Sequence, residues 1–442
     1  MKHNSTFVFL FIGSLFILGC FQGSRKMVSG KNKQAQQSAM SSFLFLSDVH
    51  LNADIDTSCM YKDAGMLLWA KCAQKLNSIL GGPNPPEFIV YTGDLPVHYW
   101  CDSCDSTSSC PAANCGDMAV KQHNKSLRAM LKNLGDLAAT WNVPVLYAPG
   151  NNDALKGNYY PFSGTDYSTP FSLVNPGSSP EYPYSLFGVN KPSSYKVPYM
   201  ISNEGTSFGY WSVRVMDGLR MICLNTVIWG TSVRKTVGSD TLDTMAIQEM
   251  NWLGAQLDAA AKNGDKVFLS MHIPPGLDVF DHDNPMWSSW NGYSLQDSFL
   301  QLVETYDTTI TGIFYGHTHY DELRLLYNKA GNSVMKAAIS CPGISTAHGN
   351  YPAFKVVQFD RKSKVPMDFT TYFTPLNCNH LTKLWGDSSY KFSSVFKPDA
   401  GMSIYQRLVS MDTSEVQHRM ALIYKAGNGI DTTGTRGVVV KW

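Results

Sequence analysis

Five apolar runs in this chain stop abruptly on aspartate, asparagine or histidine. "FLFLSDVHLN" leaves its run at Leu46 and meets Asp48 and His50; "FIVYTGDL" meets Asp94; "VPVLYAPGNND" meets Asn151; "KVFLSMHIPPG" meets His272; "ITGIFYGHTHYDE" meets His317 and His319. Short apolar runs rich in β-branched and aromatic residues read as buried strands. Segments of helical periodicity lie between them: "AGMLLWAKCAQKLNSIL" before Gly81-Gly82, "MAVKQHNKSLRAMLKNLGDLAATWN", "IQEMNWLGAQLDAAAKNG" and "LQDSFLQLVETY". Alternating strands and helices predict an α/β fold. Ligands of open α/β sheets gather at the carboxyl ends of the strands, so such a fold would collect these polar residues at one edge.

The 442 residues are 44% apolar and 16% charged, with a net charge of +1. That balance excludes a disordered chain and gives no electrostatic footprint for a nucleic acid. "MKHNS" followed by "TFVFLFIGSLFILG" has the basic start and apolar core of a signal peptide. It is short for a membrane span, which needs about 20 residues. We therefore expect residues 1–20 to be an export signal and the protein to be secreted, periplasmic or held at the cell surface. "ILGC" resembles the bacterial lipobox, which would place a lipid on Cys20 and attach the protein to a membrane; simple secretion is the alternative. Residues 21–42 read as a polar tether. The cysteines from Cys59 to Cys115, four of them in "CDSCDSTSSCPAANC", are expected to form disulfide staples in an oxidising compartment. A structural zinc at Cys101 and Cys104 is the alternative. Cys223, inside the apolar "MICLN", is the candidate for a buried free thiol.

Asp48, His50, Asp94, His272, His317 and His319 are good ligands for a divalent transition metal, and Asn151 can add an amide oxygen. These seven exceed one tetrahedral site. They suit two ions that share a bridging carboxylate, a device that hydrolyses phosphate esters with ions about 3.5–4 Å apart. Each residue alone has a plain structural explanation, such as a turn aspartate or a core histidine. Five strand ends carrying metal-type residues at once do not.

"DVH", "GDLPVH", "GNND", "MHIPPG" and "GHTH" stand in the order found in the calcineurin-like metallophosphoesterases, and the chain resembles that family over roughly residues 43–375. The resemblance implies a four-layer αββα sandwich: two sheets face to face with helices on both outer sides. It implies a catalytic domain over 43–375 and a small, mainly helical C-terminal segment over 376–442. Carried onto this sequence, Asp48, His50 and His319 would hold one divalent ion, Asn151, His272 and His317 the other, and Asp94 would bridge them. The donor types suit zinc, with manganese or iron as alternatives. Pro96 and His98 in "GDLPVH", the aromatic "MWSSWNGYS" after "HIPPG", and "GNYPAF" from Gly349 to Phe354 are similar to the acid sphingomyelinase-like phosphodiesterases. The implied reaction is hydrolysis of a small phosphoester, a phospholipid head group or a nucleotide, by a metal-bridging hydroxide.

One position departs from the family. "GNND" has Asn152 where most members carry a proton-donating histidine. An amide is no general acid. Either His98, four residues past Asp94, gives the proton while Asn152 positions the phosphate, or the substrate is a phosphoanhydride whose leaving group needs little protonation. Asp153 is expected to orient its neighbours from behind the ligands. Trp287, Trp290 and Tyr293 form either an aromatic wall for a base or choline group or a lid without a ligand. His348 and Asn350 reach the substrate on the resemblance alone. Three functions follow: a sphingomyelinase-like phosphodiesterase, a nucleotide or polyphosphate phosphohydrolase with the same metals, and a non-catalytic surface binding protein on the same fold.

Overall fold

Phe43, Phe45, Phe268, Phe314 and Phe359 meet ring against ring, and their cluster marks where two β-sheets pack face to face. The computed structural model describes residues 39–56, 58–98, 112–155, 157–161, 199–204, 208–238, 240–278, 280, 284–376, 385 and 388–442. In chain order the main strands are β1 (Met40–Leu46), β2 (Ile89–Tyr91), β3 (Val145–Tyr147), β4 (Tyr199–Glu204), β5 (Tyr210–Met216), β6 (Leu219–Cys223), β7 (Lys266–Ser270), β8 (Ile310–Tyr315), β9 (Leu323–Tyr327), β10 (Val334–Ser340), β11 (Ala353–Asp360), β12 (Pro366–Phe373), β13 (Ser389–Lys391) and β14 (Val439–Val440). One sheet runs β13-β12-β11-β1-β2-β3 and the other β14-β9-β10-β8-β7-β6-β5-β4. β1, β2 and β3 are parallel neighbours. So are β6, β7, β8 and β10. Parallel strands point the same way, so within each sheet their carboxyl ends lie at one edge.

Strand alternation sets the layers. On β7, Phe268 faces the other sheet, while Val267 and Leu269 face away. Helices α4 (Asp240–Asn263) and α5 (Leu295–Thr305) cover that outer face with Leu253, Leu257, Phe299 and Val303. On the first sheet, α1 (Met66–Leu80) and α2 (Ala112–Trp141) bring Leu68, Leu76, Leu127 and Leu134 to the core. Each fully buried phenylalanine contributes about 1.5–3 kcal/mol by transfer from water. The αββα architecture agrees with expectation. A short helix α3 (Thr231–Val237) precedes α4. The chain ends in α6 (Phe392–Phe396), α7 (Ile404–Val409) and α8 (Thr413–Ala421). This end segment also sends β13 into one sheet and β14 into the other, so it is woven into both.

Cys72 corrects the disulfide expectation. It lies on the buried face of α1 as a free thiol, packed among core residues, and burial pushes its pKa up. Its register in the helix, four residues before Leu76, explains the burial. Cys223 is a buried free thiol, as expected, and so is Cys341. The signal and Cys20, the tether up to residue 38, and Cys101, Cys104 and Cys110 lie outside the described residues, as does the side chain of Cys115. Among the described residues no helix is long and apolar enough to cross a membrane.

Candidate dimetal centre

Asp48 and His50 follow β1, Asp94 follows β2, Asn151 follows β3, His272 follows β7, and His317 and His319 follow β8. Parallel strands of two facing sheets thus deliver all seven side chains to one place. The local backbone is unusual. Asp48 (φ 48°), His50 (φ 44°), Asp94 (φ 59°), His317 (φ 73°) and His319 (φ 59°) are all left-handed. Each such residue with a Cβ costs on the order of 1–2 kcal/mol. Left-handed residues occur elsewhere in the fold, but these five meet at one place, which packing alone does not explain. Gly93 and Gly150 allow the crowding. A Cβ on Gly93 would strike the Gly150 backbone, and one on Gly150 would strike Asp94.

The donors converge on two positions. Asp94 Oδ2 lies 3.3 Å from His50 Nε2 and 3.3 Å from His272 Nε2. On the first side, His50 Nε2 is 3.1 Å from His319 Nε2, which is 3.5 Å from Asp48 Oδ1. On the second, His272 Nε2 is 2.9 Å from Asn151 Oδ1 and 3.2 Å from His317 Nδ1. The backbone fixes which atoms face inward. Nδ1 of His50 meets the Pro96 carbonyl at 3.2 Å, and Nδ1 of His272 meets the Thr92 carbonyl at 2.5 Å. A carbonyl only accepts, so each Nδ1 carries the proton and turns Nε2 inward. Asn151 Nδ2 donates to Asn158 Oδ1 (2.8 Å), so the amide oxygen faces His272. His317 N donates to Asp48 Oδ2 (3.0 Å), as does the Ser47 hydroxyl. His319 Nδ1 has no hydrogen-bond partner among the described residues.

This donor set fits divalent ions. Donors about 2.0–2.2 Å from a common tetrahedral ion stand roughly 3.3–3.6 Å from one another. Acceptor atoms facing acceptor atoms at the distances seen here repel unless positive charge lies between them. Burial works against the charge of Asp94, yet His272 and His50 hold its carboxyl well below the usual range. Burial likewise works against a charge on His272, yet Asp94 pushes its pKa up to about 9. The centre demands positive charge, and proton and metal ion are the two ways to supply it.

The other expected residues divide. His98 is brought to the centre: its ring stacks on His50 (centroids 3.7 Å, 12°), and one of its nitrogens lies within 4.8 Å of nitrogens of His50 and His319. Asn152 turns onto Asp94, donating from its backbone N to Oδ1 (2.8 Å) and from Nδ2 to Oδ2 (2.9 Å). Asp153 accepts from the backbone N of Asp94, Leu95 and Gly150 and from the Tyr147 hydroxyl, binding the second and third strand ends together. His348 stands edge-on to His319 at 4.5 Å, and burial together with His98 and His50 pushes its pKa down to about 3.

Trp287 and Asn350 lie in the interior. Trp287 is 2% exposed, wedged against Trp229 and Phe299, with Nε1 donating to the Ile273 carbonyl. It is core because its loop folds back under α5. Asn350 is fully buried and spends its Nδ2 on the carbonyls of Gly343, Ser345 and Tyr351, a brace for the turn. Trp290 and Tyr293 pack against each other with rings tilted by 50° across a two-strand ribbon, with the Arg234 guanidinium 4.5 Å over the Trp290 ring. The cavity beside His317 is lined instead by Tyr159, Ser232, Lys235, Asp278 and Asn284.

Sequence reasoning missed Asp63, whose carboxylate holds His98, and Asn158, which aims Asn151. Neither sits at the end of an apolar run, the signal that points to the seven candidate donors.

Residues 41–321 match the family model described as calcineurin-like phosphoesterase. The acid sphingomyelinase-like phosphodiesterase 3b of Mus musculus is 25% identical over 360 residues, 78% of this chain and 70% of its own length. The sphingomyelinase phosphodiesterase D of Dictyostelium discoideum is 27% identical over 341 residues, 74% of this chain and 65% of its own length. The sphingomyelin phosphodiesterase of Bos taurus is 27% identical over 378 residues, 76% of this chain. The match spans only 52% of that relative's length.

Proposed function

This chain belongs to the calcineurin-like phosphoesterase family, and on that premise we propose that it is a metal-dependent phosphodiesterase of the acid sphingomyelinase-like kind, acting on a small phosphoester. One observation supports the reading above the rest: Asp94 Oδ2 stands 3.3 Å from both His50 Nε2 and His272 Nε2, the position of a bridging carboxylate. Asp48, His50 and His319 would hold one ion, Asn151, His272 and His317 the other, and Asp94 both. Zinc suits these donors. When bound, such ions neutralise phosphoryl charge and make water acidic enough to attack phosphorus near neutral pH.

The chain's own residues supply the rest. Two divalent ions against the carboxylates of Asp48 and Asp94 leave a net positive centre that attracts a phosphodiester anion. Asn152 and Asp153 fix the Asp94 loop and hold its carboxylate in place. His98, stacked over His50, is the proton donor for the leaving oxygen in this reading. The leader-like residues 1–20 support export, and Cys20 in "ILGC" supports a lipid anchor.

A second reading, hydrolysis of a nucleotide or polyphosphate, is favoured by Asn152. Its side chain is engaged by Asp94 and offers no acid, which a phosphoanhydride leaving group tolerates. Turnover of sphingomyelin, CDP-choline, ATP and bis(p-nitrophenyl) phosphate, measured side by side with added zinc, separates the two. Faster turnover of sphingomyelin than of ATP or CDP-choline, both phosphoanhydrides, is expected from the first reading. The reverse order favours the second, and turnover of none of the four contradicts both.

A further inference from the structure

We infer that Asp63 is a positioning residue for His98, and that the pair replaces the proton-donating histidine missing at Asn152. The inference rests on the phosphodiesterase reading and adds a residue to it. Asp63 grips His98 with both carboxylate oxygens. Oδ1 accepts from the ring Nδ1 at 2.7 Å, and Oδ2 accepts from the His98 backbone N at 2.9 Å. A carboxylate bound to both the ring and the backbone of one residue fixes the side chain's torsions as well as its tautomer. With Nδ1 given to Asp63, Nε2 is the nitrogen left to give a proton.

The clamp is itself anchored to the centre. Ser345 Oγ donates to Asp63 Oδ1 (3.3 Å), and the Ser345 backbone N donates to the carbonyl of Asp48 (3.0 Å). Asp63 is 8% exposed, so its charge is felt at low dielectric. Burial works against that charge, but His98 and then His50 keep its carboxyl below the usual range. The His98 ring is therefore held on three sides: by Asp63 at its edge, by His50 on one face, and by its own backbone.

The step this serves is balanced simply. The oxygen of water forms a bond to phosphorus, and the bond from phosphorus to the leaving oxygen breaks. The leaving oxygen takes its electron pair and the Nε2 proton of His98. The water's proton goes to solvent, which later returns one to Nε2; Nδ1–H stays with Asp63 throughout.

The test is a leaving-group series of diesters, alkyl against p-nitrophenyl, on wild type, Asp63→Asn, His98→Ala and the double variant, with zinc added. Asp63→Asn is expected to lower kcat for the alkyl leaving group roughly 10²-fold, and for p-nitrophenyl only severalfold. In the His98→Ala background it should cost nothing further. Equal losses on both leaving groups, or a full extra loss without His98, would assign Asp63 a merely structural role and overturn the inference. A wild type that turns over neither diester overturns the phosphodiesterase reading together with this one. A wild type active on p-nitrophenyl diesters preserves that reading whatever Asp63 does.

Discussion

Asp94→Asn is expected to lower phosphodiester turnover about 10³-fold or more, whatever the leaving group. The reason is that Asp94 belongs to both halves of the centre. Its Oδ2 stands at equal distance from His50 and His272, and the Asn152 backbone and side chain hold its two oxygens in place. An amide at position 94 removes the negative charge that both halves share. It also turns an NH2 toward one of the two donors of Asn152, where an oxygen had accepted. Steady-state kinetics on bis(p-nitrophenyl) phosphate measures the loss, and thermal unfolding of the same variant separates loss of ions from loss of fold. Turnover within tenfold of wild type would show that Asp94 bridges nothing.

His98→Ala carries the second large effect, and it should depend on the substrate. A general acid contributes about 10²–10⁴-fold when the leaving group needs its proton. Sphingomyelin and simple alkyl diesters should lose that much in kcat. A p-nitrophenyl leaving group, stable as its anion, should lose less than about tenfold. Burst-free rates across a series of leaving groups give the comparison. A loss independent of leaving group would remove His98 from the proton transfer and leave it a wall of the site.

The features legible in the sequence share one property: each is local. An apolar run that ends on Asp or His can be read over ten residues, and parallel strands then carry that reading into space. The convergence of Asp48, His50, Asp94, Asn151, His272, His317 and His319 follows from it, whereas the αββα layers were implied by the family resemblance. What was not legible depends on distant partners. Asp63 reaches His98 across 35 positions, and nothing in "YKDAG" signals it. Asn152 could be seen to lack an acidic proton, but not to be bound to Asp94. Trp287 and Trp290 look alike in "MWSSWNGYS"; only the packing of α5 decides that the first is core. Cys72 was grouped with its neighbours by spacing, whereas helical register places it inside.

The central claim is that seven side chains from two facing sheets hold two ions for phosphoester hydrolysis. The most direct measurement is the metal content of the purified, folded full chain after dialysis with zinc and removal of excess, with turnover of bis(p-nitrophenyl) phosphate followed through chelation and re-addition. The account predicts two tightly held divalent ions per chain, loss of turnover on chelation and recovery when ions return. A folded chain that holds no ion, or that turns over substrate equally well under chelator, would contradict it.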